Sequence, residues 1–176
     1  MSAPSESKSF QREMFWLVLA LFFASGFSSL IYQVVWTRHL VLIFGSTTLA
    51  TSTVLAVFMG GLALGSFLAG RIADKIARPF LWYGILEGII GIWALAVPAL
   101  LEISVSSYRV IWELTHFDFF SFSLLRLALA AIILLLPTTL MGATLPLLSK
   151  FVTDSLATVG DRVGTIYAIN TLGAVC

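Results

Sequence analysis

Charge is scarce in this chain. Only 11% of its 176 residues are Asp, Glu, Lys or Arg, and they nearly cancel to a net charge of +1. So slight a balance gives no electrostatic footprint for nucleic acid or any other acidic macromolecule. Cysteine is scarcer still: the single one, Cys176, is the last residue, which excludes a disulfide framework or a Cys-ligated metal site within one chain. The two histidines, His39 and His116, stand far apart without ligand spacing, so each reads as a solvated or interfacial loop residue. No metal and no cofactor is expected.

What the chain has instead is apolar surface. Hydrophobic residues make up 59% of it, and the mean hydropathy is +1.01, more than a soluble domain of this length can bury. The apolar residues fall into runs at about 14–35, 49–69, 80–101 and 127–148, each near the roughly 20 residues that cross a hydrocarbon core about 30 Å thick. A fifth run, 163–176, reaches only about 20 Å at the helical rise. The expected fold is all-α: a polytopic helical membrane protein with four complete transmembrane helices and a truncated fifth, the front or ordered part of something longer. Residues 1–13, polar and containing Lys8 and Arg12, are expected to be a flexible tail. The run after them is too long for the core of a signal peptide and lacks a cleavage pattern.

Basic residues set the threading. Lys8, Arg12, Arg71, Lys75, Arg78, Lys150 and Arg162 fall on one side of the predicted membrane, against Arg38, Arg109 and Arg126 on the other. The richer side is cytoplasmic by the positive-inside rule, so the amino terminus is expected there. The segment 102–123 is then outside, and its aromatic residues, among them Trp112, Phe119 and Phe120, suit a short interfacial helix.

Small residues mark packing faces. Gly61, Gly65, Ala69 and Ala73 recur every four residues in the second span, and Gly84, Gly88 and Gly91 share a face in the third. Glu87 lies beside those last glycines and is expected to face other helices, about 10 Å from the cytoplasmic end. A carboxylate inside a span marks an ion, proton or substrate path by default; its alternative is a hydrogen-bonded packing residue. Thr139 and Asn170 are placed at a similar depth, so a polar layer is expected with Glu87. Ser25, Ser29 and Gln33, with Tyr32 alongside, form a stripe on the first span that either lines a cavity or bonds one helix to another. Pro137 and Pro146 each remove a backbone donor and free a carbonyl, predicting a kinked fourth helix.

The turn built on Gly70, Asp74, Lys75 and Arg78 resembles the loop between the second and third helices of major facilitator transporters, although Ala77 stands where a glycine is usual and Pro79 follows. Longer blocks carry a more specific likeness: residues 25–38 (SGFSSLIYQVVWTR), 58–65 (FMGGLALG), 137–146 (PTTLMGATLP) and 163–174 (VGTIYAINTLGA). Together they resemble the amino-terminal membrane region of fused major facilitator/spermidine synthase-like bacterial proteins. The resemblance implies a partial major-facilitator-like bundle in a bacterial inner membrane that moves or presents a small cationic or amphipathic metabolite connected with polyamine chemistry. It also implies further helices and an aminopropyltransferase-like domain beyond these residues. The chain itself holds neither the Gly-rich cofactor loop nor the soluble acidic site of such an enzyme, so no catalytic residue is assigned. The expected partners are the lipid bilayer and other transmembrane helices, from a missing carboxyl-terminal part or a partner subunit. Three functions are open: a transporter-like domain, an accessory subunit of a larger membrane complex, and a membrane anchor.

Overall fold

The computed structural model describes residues 4–44, 47–115, 119–153 and 159–176, and among these it contains helices and no strand. In chain order they are α1 (Pro4–Phe44), α2 (Thr47–Ile72), α3 (Pro79–Thr115), α4 (Phe119–Val152) and α5 (Val159–Val175), with a 3-10 turn (Ala73–Lys75) after α2. Four stretches are long and apolar enough to cross a membrane: Arg12–Leu42, Thr51–Lys75, Pro79–Ser104 and Leu127–Val152. Large apolar side chains such as Ile92, Leu95 and Ile132 stand outward on the bundle, a surface suited to acyl chains.

Two helices are longer than their hydrophobic runs. α1 starts at Pro4, so the polar segment expected to be a flexible tail is helical from that residue onward. Proline is tolerated at a first helical position, and once the apolar part nucleates the helix each further residue only propagates it. Among the described residues the expected interfacial helix between the third and fourth spans is not a separate element. α3 runs on to Thr115 and α4 begins at Phe119. No glycine or proline interrupts residues 99–115, so nothing in the sequence stops α3 where its hydrophobic run ends. His39 likewise lies within α1 and not in a loop, while His116 falls outside the described residues.

Two apolar clusters hold the helices together. One joins Val18, Leu19 and Phe22 of α1, Tyr83 of α3, Leu148 and Val152 of α4 and Ile166 of α5. The other joins Trp36 and Leu40, Val54 and Phe58, Ile90 to Leu101, and Ala130 to Met141. The first cluster takes the start of α1 and α3 with the end of α4, and the second takes their opposite halves, so successive helices α1 to α4 alternate in direction. The basic end is closed by side chains that cap helices. Lys150 Nζ donates to the carbonyls of Ala73 (2.7 Å), Asp74 (2.5 Å) and Ile76 (3.0 Å), and Arg162 Nη1 donates to Val152 O (2.6 Å). Both place a cation where the carbonyl end of a helix carries partial negative charge.

The closest helix contact is α2 against α4. Gly61, Gly65, Ala69 and Ala73 are all buried. A Cβ on Gly61 would overlap the Thr138 hydroxyl, one on Gly65 the Thr139 carbonyl, and one on Gly142 the Leu62 backbone. Thr139, expected in the polar layer, thus serves through its backbone as the surface on which Gly65 rests. Gly84, Gly88 and Gly91, expected on a packing face, meet no helix among the described residues: nothing there lies within 4 Å of a Cβ at any of them. The buried stripe of α3 is Tyr83, Ile90, Ala94, Val97 and Leu101, roughly 110° around the helix from the glycines at 3.6 residues per turn. Bulky side chains, not small ones, make the α3 interface.

Gly65→Leu must displace the α4 backbone, and overpacking of this kind costs about 1–3 kcal/mol or more. It is expected to reduce the yield of folded protein in detergent sharply, whereas Leu64→Phe on the outward face leaves it near the parent level. Equal yields from the two variants contradict the packing described.

Candidate functional site

Between the two apolar clusters lies a band of polar groups contributed by all five helices. Glu87 stands on α3 one turn from Tyr83, on the inward side, and Ser25 Oγ donates to Glu87 Oε1 at 2.7 Å. The buried Tyr83 stands beside Glu87 and Ser25, and its ring packs edge-on against Phe22 at 6.3 Å. Glu87 is therefore held by the neutral Ser25 hydroxyl with Tyr83 beside it, and among the described residues no basic side chain pairs with it. It faces helices because of the Tyr83/Ile90/Ala94 stripe and not because of the glycines that suggested it.

Asn170 of α5 reaches α1, where its Nδ2 donates to Phe22 O at 2.9 Å. The approach is possible because residue 26 is glycine: a Cβ there would collide with the Asn170 backbone. Gly173 meets the Phe23 backbone in the same way. These glycines were not singled out from the sequence, since Gly26 and Gly173 have no glycine partner at helical spacing.

The prolines of α4 shape the opposite side. α4 is continuous through both, and each freed carbonyl lies four residues earlier. Pro137 frees that of Ile133, which accepts from Trp93 Nε1 of α3 at 3.1 Å. Pro146 frees that of Gly142, which accepts from Ser66 Oγ of α2 at 2.8 Å. Each proline thereby writes a hydrogen-bonding position for a different neighbouring helix. Thr138 and Thr144 are buried and return their hydroxyls to their own helix, at Leu134 O (2.9 Å) and Met141 O (2.7 Å).

Bounded by these contacts is a half-open cavity of about 420 Å³ between α1, α2, α4 and α5. Ser25, Ser29 and Gln33 line it from α1, Ser66 from α2, Thr144 from α4, and Tyr167 and Asn170 from α5. Of the sequence candidates, Gln33 and Asn170 are on its wall and Glu87 stands just behind Ser25. Tyr32 is elsewhere, stacked on Trp36 with ring centres 5.7 Å apart in the apolar cluster. Thr139 is also off the wall. The turn residues Gly70, Asp74, Lys75 and Arg78 are exposed at the basic end, and their contribution is backbone: the Asp74 carbonyl receives Lys150, and the Arg78 carbonyl accepts the Trp82 N–H at 3.2 Å. Ser66, Tyr83 and Lys150 were missed as site or anchoring residues. The signal for Ser66 was present in the proline at 146, but its partner is 76 residues distant in sequence.

Ser66→Ala leaves the Gly142 carbonyl without a donor and is expected to cost about 1 kcal/mol, within the range for interhelical bonds in membranes. In a Pro146→Ala background, residue 146 regains the N–H that serves Gly142, so the cost of Ser66→Ala should fall below half. Equal costs in both backgrounds, measured by reversible unfolding in mixed micelles, would show that proline does not set this contact. No known protein family, curated protein or solved structure matches the chain.

Proposed function

We propose that this chain is a transporter-like membrane domain for a small organic cation, with Glu87 as its cation or proton site and the α1/α2/α4/α5 cavity as the place the cargo occupies. The observation that carries the reading is the carboxylate held within the bundle by Ser25, a residue that also lines the cavity. An ionisable group is costly at that depth and is retained where it meets a charge that moves. A packing role is served as well by a serine or glutamine. The polyamine-related cargo and the major-facilitator-like arrangement come from the resemblance of the α1, α2, α4 and α5 blocks alone. In the same reading the membrane is a bacterial inner membrane with the amino terminus cytoplasmic, supported by the basic end that gathers Arg71, Lys75, Arg78, Lys150 and Arg162.

One observation favours a second reading, the accessory subunit. The Gly84/Gly88/Gly91 face of α3 is open, and a small-residue face lets a foreign helix approach closely. Gly88→Leu should leave transport untouched if the first reading holds and should break assembly with a larger complex if the second does.

Two measurements test the transport proposal. In proteoliposomes carrying an internal pH dye, addition of an amine from a panel of mono-, di- and triamines should drive a proton flux with at least one of them. Glu87→Gln should reduce that flux at least tenfold while the protein remains folded. Unchanged flux and unchanged pH dependence in Glu87→Gln contradict the site. For orientation, a cysteine at Lys75 in a Cys176→Ser background should be inaccessible to an impermeant maleimide added outside intact cells. Labelling from outside contradicts the cytoplasmic placement of that turn.

A further inference from the structure

The two walls of the cavity differ in what they offer. Phe58, Met59 and Leu62 of α2 and Leu145 of α4 make one side apolar. The polar side chains on that side are already committed, Ser66 to Gly142 O and Thr144 to Met141 O. The α5 amide of Asn170 has given a proton to Phe22 O. On α1, by contrast, the side chains of Ser29 and Gln33 form no hydrogen bond among the described residues, and both line the cavity. These polar side chains without a partner are on α1, whereas Ser66 and Thr144, their protons given away, can only accept.

Ser25 differs from its neighbours. Its proton is donated to Glu87 Oε1, so toward the cavity it can only accept. A hydroxyl oxygen whose proton is held by a carboxylate is a better acceptor than a free one, because the two bonds polarise each other. The carboxylate itself is not on the cavity wall. A ligand there meets the Glu87 carboxyl group only through Ser25, at one place, with non-ionisable or uncharged groups on the rest of the wall. The rim is apolar too: Leu30 and Met59 are exposed beside Tyr167.

We infer that the cavity binds an amphipathic monoamine, an alkyl or arylalkyl ammonium whose N–H donates to Ser25 Oγ while its apolar body lies against Phe58, Met59 and Leu62. Ser25 is the residue that touches the ligand, and Glu87 acts through it. Ser29 and Gln33 accept the remaining ammonium protons. The volume of about 420 Å³ lies within the range of roughly 300–1,000 Å³ usual for small-molecule sites. A linear triamine fits poorly, because its second and third ammonium groups would lose water against a largely apolar wall that carries no carboxylate. The inference rests on the cavity being the cargo site and narrows the cargo from small cations in general to this class, in place of the polyamine that the resemblance suggests.

The test is calorimetric binding of 4-phenylbutylamine and of spermidine to the purified chain in lipid nanodiscs, with empty nanodiscs subtracting partition into lipid. The expected result is saturable 4-phenylbutylamine binding, with spermidine at least tenfold weaker. Ser25→Ala and Glu87→Gln should each weaken 4-phenylbutylamine at least tenfold, and Ser25→Thr, which keeps the hydroxyl, should restore it. The Ser25→Thr rescue separates loss of the relay from loss of fold. Spermidine binding as tightly as the monoamine, with Glu87→Gln weakening it, overturns the cargo class and leaves the transport reading standing. Full affinity in Ser25→Ala with loss in Glu87→Gln overturns the relay. Binding of neither amine overturns this inference and the transport reading together.

Discussion

The arrangement of this bundle depends on two backbone carbonyls that proline deprives of their helical donors. In water such a carbonyl would be solvated at little cost, but within a span a side-chain donor from the protein relieves it. Pro137 and Pro146 free the carbonyls of Ile133 and Gly142, and Trp93 and Ser66 supply the donors from α3 and α2. Apolar contact alone distinguishes poorly between one helix neighbour and another when the surrounding lipid is as apolar as the side chains. The directed bonds add that distinction. They orient α2 and α3 on two sides of α4, after which the small residues of α2 set how closely it can lie.

From that geometry follows the polar band. α2 is drawn onto α4 at Gly61, Gly65 and Gly142, and α5 is drawn onto α1 at Gly26 and Gly173. Two tight helix pairs lie side by side, and the cavity is the space their close contacts leave between them. Apolar clusters close it toward each end of the bundle. Glu87 enters from α3, outside both pairs, and reaches the cavity only through Ser25. The carboxylate is thus kept off the wall by the same packing that forms the wall, and the hydroxyl of Ser25 stands between the two.

Local patterns in the sequence carried the parts of this structure that local physics decides. Four runs of apolar residues announce four helices, and the four-residue recurrence of Gly61, Gly65, Ala69 and Ala73 names the buried face of α2. The same logic misled at Gly84, Gly88 and Gly91, because glycine spacing tells which face permits close approach and not whether a helix arrives there. Helix ends were illegible where hydrophobicity stopped but helix propensity did not, as in α1 before Arg12 and α3 after Leu101. The prolines signalled orphan carbonyls correctly. Their donors, 40 and 76 residues away, belong to tertiary structure and had no local mark. Lys150 is a similar case: its charge was counted for threading, while its role as a cap on the turn after α2 appears only when α4 is laid beside that turn.

The central claim, that the Gly142 carbonyl freed by Pro146 is answered by a side chain from another helix, is most directly tested by isotope-edited infrared spectroscopy of a carbon-13, oxygen-18 label at that carbonyl in lipid. The account predicts a single amide band at hydrogen-bonded frequency that moves upward when Ser66 is replaced by alanine. A band already at the frequency of a free carbonyl in the parent chain, or one that Ser66→Ala leaves unmoved, would contradict it.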